Sequence, residues 1–187
     1  MKTRCPWSEA NDSMREYHDT EWGVQLHDDR KLFEFLILDI FQAGLSWTII
    51  LNKRENFDEA FDGFDPNKIA RYDETKVNEL LSNAGIIRNR SKILATVNNA
   101  KAFLEIQQEF GSFDRYIWQF VGYKQKKNAW TVEKELPAST QESENMSRDL
   151  KRRGFAFTGP TVCYAFMQST GMVNDHIVDC FRYDEVS

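Results

Sequence analysis

The chain has 187 residues and a formal net charge of −5, which argues against a protein that coats nucleic acid through bulk positive charge. Hydrophobic residues make up 41% and charged residues 28%, values typical of a globular protein. No apolar run approaches the roughly 18 residues that a membrane-spanning helix needs, so a membrane protein is excluded while a local basic patch is not.

The first twelve residues, MKTRCPWSEAND, contain no apolar stretch typical of a secretion signal. We therefore expect a cytoplasmic protein. The sequence holds 3 cysteines, an odd number, and a cytosol keeps thiols reduced. Metal binding is accordingly a better interpretation of these cysteines than a disulfide framework.

The sequence predicts helices almost throughout. The first clear one follows Asp28 or Asp29, either of which can cap it. Residues 42–47 include Gly and Ser and predict a tight corner, after which a helix resumes at residues 49–51. The apolar positions before the corner recur with a helical period at Leu32, Phe33, Leu36 and Ile40.

Capping residues predict the central helices as well. Asp65, followed by proline, begins one helix and Asp73 begins the next. Asn89 or Ser91 begins a long helix that ends near Gly111. Ser112 then opens a further short helix.

The last third predicts a surface loop followed by two helices. Residues 122–137 are polar and irregular. Ser139 and Glu142 form a capping box for a helix that reaches Arg153, and a hairpin-like connection at 154–160 leads to an apolar helix that ends at Gly171. Strand-like alternation is nearly absent. The prediction is an all-α fold in a single domain over residues 1–187, which two helical lobes could compose.

Four residues near the two chain ends predict a shared metal site. They are Cys5, His18, His176 and Cys180, and a Cys2His2 set is a standard tetrahedral zinc shell. His176 and Cys180 are four positions apart and would share one face of a helix. The alternative is two unrelated pairs. Cys163 is expected to pack in the core.

Asp39 lies on an apolar helix face with Leu32 and Leu36. It is either a structural carboxylate held by backbone N–H groups at the following corner, or a carboxylate that faces a pocket. Gln42 follows one turn later and can join the same polar spot. The aromatic residues Tyr17, Trp22 and Trp47 either pack in the core or wall such a pocket, which would suit a flat cationic ligand.

A basic run precedes the 154–160 connection, where Gly159 can adopt a positive φ. The first turn of the helix that follows offers unpaired N–H groups, a natural site for a phosphate. Residues 88–92 form a second basic cluster. Charge runs are usually solvated faces, so this evidence alone is weak.

Together these segments resemble the DNA-3-methyladenine glycosylase I family, a branch of the helix-hairpin-helix DNA glycosylases. The resemblance extends from Cys5 to Cys180. The matching blocks are YHDTEWG (17–23), FQAGLSW (41–47), LNKRENF (51–57), NAGIIRNRSKI (83–93) and RRGFAFTGPTVCYAFMQSTGMVNDH (152–176).

The resemblance implies a role for each matching position. Cys5, His18, His176 and Cys180 match ligands of a structural Zn²⁺, which has no open position for a catalytic water. Tyr17 and Trp47 match aromatic residues that stack on the extruded base, and Gly44 and Leu45 match the corner that probes the gap left in the duplex. The hairpin residues whose backbone holds a DNA phosphate are Phe157, Thr158, Gly159 and Thr161. Trp22 and Gln42, from the pocket interpretation above, complete the predicted substrate-binding residues.

Two positions differ from what related enzymes carry. The family usually has Glu where this chain has Asp39, whose side chain is one methylene shorter. Many helix-hairpin-helix glycosylases have a catalytic Asp where this chain has Asn174, beside Asp175. The family named here also lacks that Asp, so the absence of an Asp at this position favours this family over the other helix-hairpin-helix glycosylases.

The resulting hypothesis is a monofunctional enzyme that hydrolyses the N-glycosidic bond of N3-methyladenine in alkylated double-stranded DNA. Asp39 is its predicted catalytic carboxylate, and the protein is expected to be a monomer. We expect no lyase step, because residues 167–179 contain no lysine. The alternatives are a protein that binds alkylated DNA without cutting it, and a glycosylase for another cationic base.

Overall fold

The computed structural model describes residues 2–187, which fold mainly into helices. Short 3₁₀ turns occur at Pro6–Ala10, Asp62–Phe64, Trp118–Val121 and Glu133–Glu135. Two strands, β1 (Lys126–Lys127) and β2 (Val173–Asn174), pair in parallel. The α-helices are α1 (Asp12–Thr20), α2 (Asp29–Gln42), α3 (Trp47–Ala60), α4 (Pro66–Ile69), α5 (Glu74–Ser82), α6 (Arg90–Phe110), α7 (Phe113–Ile117), α8 (Gln141–Arg152), α9 (Pro160–Ser169) and α10 (Arg182–Glu185).

Helix α2 is the central element of the core. Its residues from Leu32 to Phe41 are all buried, and α3, α6, α7 and α9 pack around it. Phe41 contacts Phe57 of α3, with ring centroids 4.9 Å apart, and Phe33 contacts Phe103 of α6 at 5.0 Å. A helix enclosed on every side holds its polar residues rigidly, and this fixes the position of Asp39.

The side-chain caps decide where most of the helices begin. The Asp28 carboxylate accepts a hydrogen bond from the Lys31 N–H, so Asp28 rather than Asp29 caps α2. Asn89 rather than Ser91 caps α6, and Asp65 and Asp73 cap α4 and α5 as predicted. Each cap satisfies an N–H group that the first helical turn leaves unpaired.

The predicted capping box of α8 is wrong by one residue. Thr140, not Ser139, is the N-cap, and its partner is Ser143 rather than Glu142. The Ser143 hydroxyl accepts a hydrogen bond from the Thr140 N–H at 2.9 Å. In return the Thr140 hydroxyl accepts a hydrogen bond from the Ser143 N–H, so the pair is reciprocal as in a capping box.

The segment between α8 and α9 is a tight turn held by α6. The Asn99 side chain accepts a hydrogen bond from the Ala156 N–H at 2.8 Å and donates one to the Ala156 carbonyl at 3.0 Å. The predicted positive φ at Gly159 is wrong: its φ is −68°, whereas Phe157 has a φ of +60°. Gly159 is extended because it is the N-cap of α9.

The prediction that Cys163 packs in the core is confirmed. Cys163 is fully buried in the core, and His27 is exposed, with its ring stacked on Trp118. None of the helices within residues 2–187 is both long and apolar enough to span a membrane.

Candidate functional site

The two ends of the chain meet at a buried group of metal-ligating side chains. Cys5 precedes the first 3₁₀ turn, His18 lies in α1, and His176 and Cys180 follow β2. One ligand atom from each of these four residues lies within 4.8 Å of the others, and all four residues are buried. The structure therefore brings together the four residues that the sequence singled out as one group rather than as two separate pairs.

The distances within this group fit a tetrahedral zinc site. Cys180 Sγ lies 3.4 Å from His18 Nε2 and 3.5 Å from His176 Nδ1. Cys5 Sγ lies 3.6 Å from His176 Nδ1. Zinc bonds of about 2.3 Å to sulfur and about 2.0–2.1 Å to nitrogen give sulfur–nitrogen edges of about 3.6 Å in a tetrahedron. The residues could hold such an ion with little rearrangement.

Each histidine has a second partner that fixes its ring. His18 Nδ1 lies 2.8 Å from an Asp19 carboxylate oxygen, and His176 Nε2 donates to the Trp22 carbonyl at 3.0 Å. Such outer partners orient metal-binding histidines and select the ring nitrogen that faces the ion. Hydrogen bonds from Cys5 and both histidines lower the pKa of the Cys180 thiol.

The prediction that His176 and Cys180 share a helix face is wrong. Residues 175–177 have no regular structure and residues 178–181 form a turn, with the Cys180 N–H donating to the Ile177 carbonyl at 2.8 Å. The turn brings the two side chains together because it folds the backbone back after three residues. The spacing of four residues was informative, but the local structure was not helical.

A cavity of about 360 Å³ lies beside the metal group. Four aromatic side chains form part of its wall, with Tyr17 and Trp47 ring centroids 5.5 Å apart and Trp7 and Trp22 centroids 5.0 Å apart. Trp22 separates the cavity from the metal group, because its ring lies 4.7 Å from that of His176. The lining consists of Trp7, Met14, Tyr17, Trp22, Asp39, Gln42, Trp47, Glu133, Leu136, Ala165, Gln168 and Ser169.

Asp39 is the buried carboxylate of this cavity, with 3% of its surface exposed. It accepts a hydrogen bond from the Ser169 hydroxyl at 3.1 Å, and no backbone N–H of the described residues donates to it. Burial raises the pKa of Asp39 to about 8, and the Ser169 hydrogen bond opposes this shift only in part. Of the two sequence-based alternatives, the structure favours a carboxylate that faces a pocket.

Two further polar side chains lie at the cavity wall. The Trp47 indole N–H is buried and has no hydrogen-bond partner among residues 2–187, so a donor is left for a ligand. Gln42 ends α2 and donates its side-chain amide to the Leu45 carbonyl at 3.0 Å. The predicted substrate residues Tyr17, Trp22, Trp47 and Gln42 therefore all lie around Asp39.

The corner between α2 and α3 projects beside the cavity. Gly44 has a φ of +83°, and the Leu45 side chain is 36% exposed although it is apolar. The Lys92 ammonium donates to the Phe41 and Ala43 carbonyls at 3.0 and 2.8 Å. The Lys92 side chain thus satisfies carbonyls that the end of α2 leaves unpaired.

Lys92 belongs to the basic cluster predicted at residues 88–92, but its side chain does not lie on a solvated face, so that interpretation is wrong for Lys92. Lys92 is only 7% exposed, and its burial lowers its pKa. It lies seven residues before Asn99 on the same face of α6, facing the interior. Their placement on a mainly apolar face of α6 is the sequence signal that could have identified both residues as buried.

The predicted phosphate-binding residues lie at the turn between α8 and α9. The Phe157 side chain is 46% exposed, and Thr161 is exposed in the first turn of α9. Thr158 is fully buried, and its hydroxyl has no partner among the described residues. Because helix N-termini leave N–H groups unpaired, the backbone from Gly159 onward can receive an anion.

Asn174 and Asp175 are structural in this fold. The Asn174 amide donates to the Tyr183 carbonyl and the Ser187 hydroxyl, both at 2.8 Å. Neither Asn174 nor Asp175 lines the cavity. Asp39 and Glu133 are therefore the carboxylates at the cavity wall, and of these only Asp39 is buried.

Comparison with known proteins agrees with this arrangement. A family profile described as methyladenine glycosylase matches residues 7–183. The chain belongs to the methyladenine glycosylase family. DNA-3-methyladenine glycosylase 1 of Escherichia coli strain K12 is 46% identical over 180 residues, which cover 96% of each chain. The family prediction is thereby confirmed.

Solved structures show that this methyladenine glycosylase shares the family's fold. A crystal structure of 3-methyladenine DNA glycosylase I, 46% identical, superposes with a TM-score of 0.93 and covers 96% of this chain and 98% of that one. The enzyme from Staphylococcus aureus, described for its recognition of 3-methyladenine, is 34% identical with a TM-score of 0.92 and covers 95% of each chain. The predicted helical fold class is confirmed by these matches.

Proposed function

We propose that this methyladenine glycosylase removes N3-methyladenine from alkylated DNA by hydrolysing the N-glycosidic bond, as a step of base excision repair. The observation that carries the proposal is the buried Asp39 carboxylate in an aromatic cavity. The family relatives support it, since the Staphylococcus aureus enzyme is described as recognising 3-methyladenine.

The charge of the damaged base explains why a single carboxylate is enough to promote cleavage of the glycosidic bond. N3-methyladenine is a cation within DNA, so its glycosidic bond is already weakened and the base leaves as a neutral molecule. An ionised Asp39 attracts this cation, and the approaching positive charge offsets the burial that raises the Asp39 pKa to about 8. Unstacking costs least for a damaged base, which contributes to selection.

The aromatic side chains hold the extruded base. Tyr17 and Trp47, with ring centroids 5.5 Å apart, provide faces for stacking and for cation–π attraction, and Trp22 closes the wall behind them. Gln42 links this wall to the corner at Leu45 through its hydrogen bond. The cavity of about 360 Å³ lies within the size range of small-molecule sites.

Two projecting segments serve as the DNA contacts in this proposal. Gly44 and Leu45 enter the gap that the extruded nucleotide leaves in the duplex, because an exposed apolar tip can replace the lost stacking. The α8–turn–α9 unit acts as a helix-hairpin-helix. Its residues Phe157, Thr158, Gly159 and Thr161 present backbone N–H groups to a phosphate of double-stranded DNA.

Zn²⁺ is the ion that the Cys5, His18, His176 and Cys180 group would hold. Four protein ligands complete its shell, so its contribution is structural: it ties the two chain ends together beside Trp22. We further propose that residues 1–187 act as a single glycosylase domain, as a monomer and in the cytoplasm.

Base release from methylated genomic DNA tests this function. The freed bases are separated by chromatography, and release of N3-methyladenine is expected. Tight binding to methylated DNA without release of any base would instead indicate a non-catalytic binder, and release of a different base would indicate another substrate. Borohydride should trap no covalent adduct with DNA, because residues 167–179 contain no lysine.

A further inference from the structure

Gln168 lies in the cavity wall next to Ser169, the residue that donates to Asp39. Its side-chain amide donates through Nε2 to Asp175 Oδ2 at 2.8 Å. An ionised carboxylate only accepts hydrogen bonds, so this contact fixes which end of the Gln168 amide is the nitrogen. The oxygen, Oε1, is left without a donor among the described residues.

Asp175 is held firmly enough to impose this orientation. It is 1% exposed and accepts hydrogen bonds on both oxygens. Oδ1 accepts from Asn128 at 2.7 Å and from Trp130 at 2.8 Å, and Oδ2 accepts from Tyr164 at 2.5 Å as well as from Gln168. A carboxylate that is surrounded by donors cannot rotate to release Gln168 without leaving several buried groups unpaired.

Beside the unpaired Trp47 indole N–H, the cavity presents several hydrogen-bond acceptors. Asp39 is an acceptor when ionised, and Gln42, like Gln168, has its amide nitrogen engaged in a protein hydrogen bond. A ligand that fits this lining offers donors. Adenine carries an amino group at C6, whereas guanine carries a carbonyl oxygen there.

We propose that Gln168 determines specificity for 6-aminopurines by accepting, through Oε1, a hydrogen bond from the exocyclic amine of the damaged base. A 6-oxo purine would place one acceptor against another at this point and would leave both unpaired, which disfavours its binding. Asp175 acts as a positioning residue because it prevents the amide from turning its nitrogen toward the cavity. This inference rests on the proposed function and names the group that selects the base.

The inference is tested by comparing how the unaltered chain and one variant bind two free bases. 3-Methyladenine and 3-methylpurine differ only in the exocyclic amine, and quenching of tryptophan fluorescence reports their affinities for the unaltered chain and for Gln168→Met. Removing one neutral hydrogen bond should weaken 3-methyladenine binding about 3- to 10-fold. Binding of 3-methylpurine should change less than twofold, since it lacks the amine.

The matched control is Gln125→Met, the same substitution outside the cavity. Gln125 is also a partly buried amide, and it donates to the Gly23 and Gly171 carbonyls at 2.9 and 2.8 Å. If a Gln-to-Met substitution merely loosens the fold, Gln125→Met should weaken the binding of 3-methyladenine and of 3-methylpurine by the same factor. Equal weakening of both bases by Gln168→Met would overturn the inference, because it would show a structural role alone.

A measurement on the unaltered chain tests the inference even if Gln168→Met fails to fold. With 3-methyladenine labelled with ¹⁵N at the exocyclic amine, nuclear Overhauser contacts are expected between the amine protons and the Gln168 side chain. Contacts from the amine to other residues but not to Gln168 would contradict the inference. If the unaltered chain binds no 3-methyladenine, both the proposed function and this inference are contradicted. If it binds 3-methyladenine but Gln168→Met weakens both bases equally, only the inference is contradicted.

Discussion

At the scale of single residues, Asp39 is the position where stability and function conflict. Its burial at the end of α2 raises its pKa to about 8, and in the free protein a single side-chain hydrogen bond from Ser169 supports it. A buried polar group with so few partners costs stability, and such groups concentrate at functional sites. In the proposed function, a cationic base that enters the cavity resolves this conflict.

Replacing Asp39 with asparagine should lower excision of N3-methyladenine about 10- to 100-fold, because it removes a charged hydrogen-bond partner of the cationic base. Single-turnover base release from methylated DNA measures the effect. Asp39→Glu restores the charge with the side chain that the family usually carries and should retain most of the activity.

The control for this comparison is Asp58→Asn, an exposed position that does not line the cavity. It should release the base at the rate of the unaltered chain. Full activity in Asp39→Asn would show that the carboxylate has no role in the reaction.

The pH dependence of stability should reveal Asp39 directly. Its pKa is about 8 in the folded chain and near the ordinary 3.8 when unfolded, so between these values the unfolded state binds fewer protons. The contribution of Asp39 to folding stability therefore falls as pH rises from about 4 to about 8. Asp39→Asn should gain stability relative to the unaltered chain as pH is raised, by up to a few kcal/mol.

Denaturant titrations of both proteins at pH 5 and pH 8 test this prediction, since the other titrating groups cancel in the difference. A difference in unfolding free energy that stays constant across this range would mean that Asp39 titrates normally in the folded state.

At the scale of secondary-structure elements, α6 connects the two segments proposed to contact DNA. Lys92 holds the end of α2 before Gly44, and Asn99 holds Ala156 before Phe157. The two residues are seven positions apart, which is about 10.5 Å along a helix. The helix thus fixes the separation between the corner and the turn.

Lys92→Met should therefore reduce activity on duplex DNA more than it reduces the affinity for the free base. We expect kcat/KM for methylated duplex DNA to fall about 10-fold, since the corner at Gly44 loses two hydrogen bonds that hold it. The affinity for free 3-methyladenine should remain within twofold, because Lys92 does not line the cavity.

Lys101→Met is the matched control, because it removes an exposed lysine from the same helix. It should leave both quantities unchanged. An equal loss of free-base and duplex binding in Lys92→Met would show that the buried lysine supports the whole fold and not the corner in particular.

At the scale of the whole molecule, the metal group joins the first and last parts of the chain. Cys5 and Cys180 are separated by most of the sequence, so folding is what brings the four ligands together and an ion held by them would bind the folded state. Ligand binding to the folded state adds directly to its stability. The Trp22 ring, which forms part of the cavity wall, packs against His176 of this group with ring centroids 4.7 Å apart.

Chelation should consequently lower both the melting temperature and the affinity for 3-methyladenine. The purified chain should contain about one zinc per molecule, and Cys180→Ser should lose the ion, since a serine hydroxyl is a poor zinc ligand. Elemental analysis and thermal unfolding measure both effects.

Cys163→Ala is the control, because Cys163 is buried in the core away from the four ligands. It should lose some stability through a small cavity but keep its zinc. If the unaltered chain bound no zinc and chelators left its melting temperature unchanged, the two cysteines and two histidines would lie together without holding an ion.

The sequence by itself determined the features that depend on local pattern. The helical period around Leu36, the caps at Asp65 and Asp73, and the long motifs with the four Cys and His residues were sufficient for the fold class, the family and the candidate metal ligands. Capping and helical periodicity are local because they involve residues that are near one another in the chain. The sequence named the four candidate ligands, but the structure decided that they form one group.

Only the tertiary structure decided the features that depend on contacts between distant segments. Ser169 meets Asp39 across 130 positions, Lys92 meets Ala43 across 49, and Gln168 takes its orientation from Asp175. The loop at 122–137, unremarkable in sequence, supplies Asn128 and Trp130 to that carboxylate. The hydrogen bonds of a buried polar group depend on which elements pack around it, and no local pattern encodes that packing.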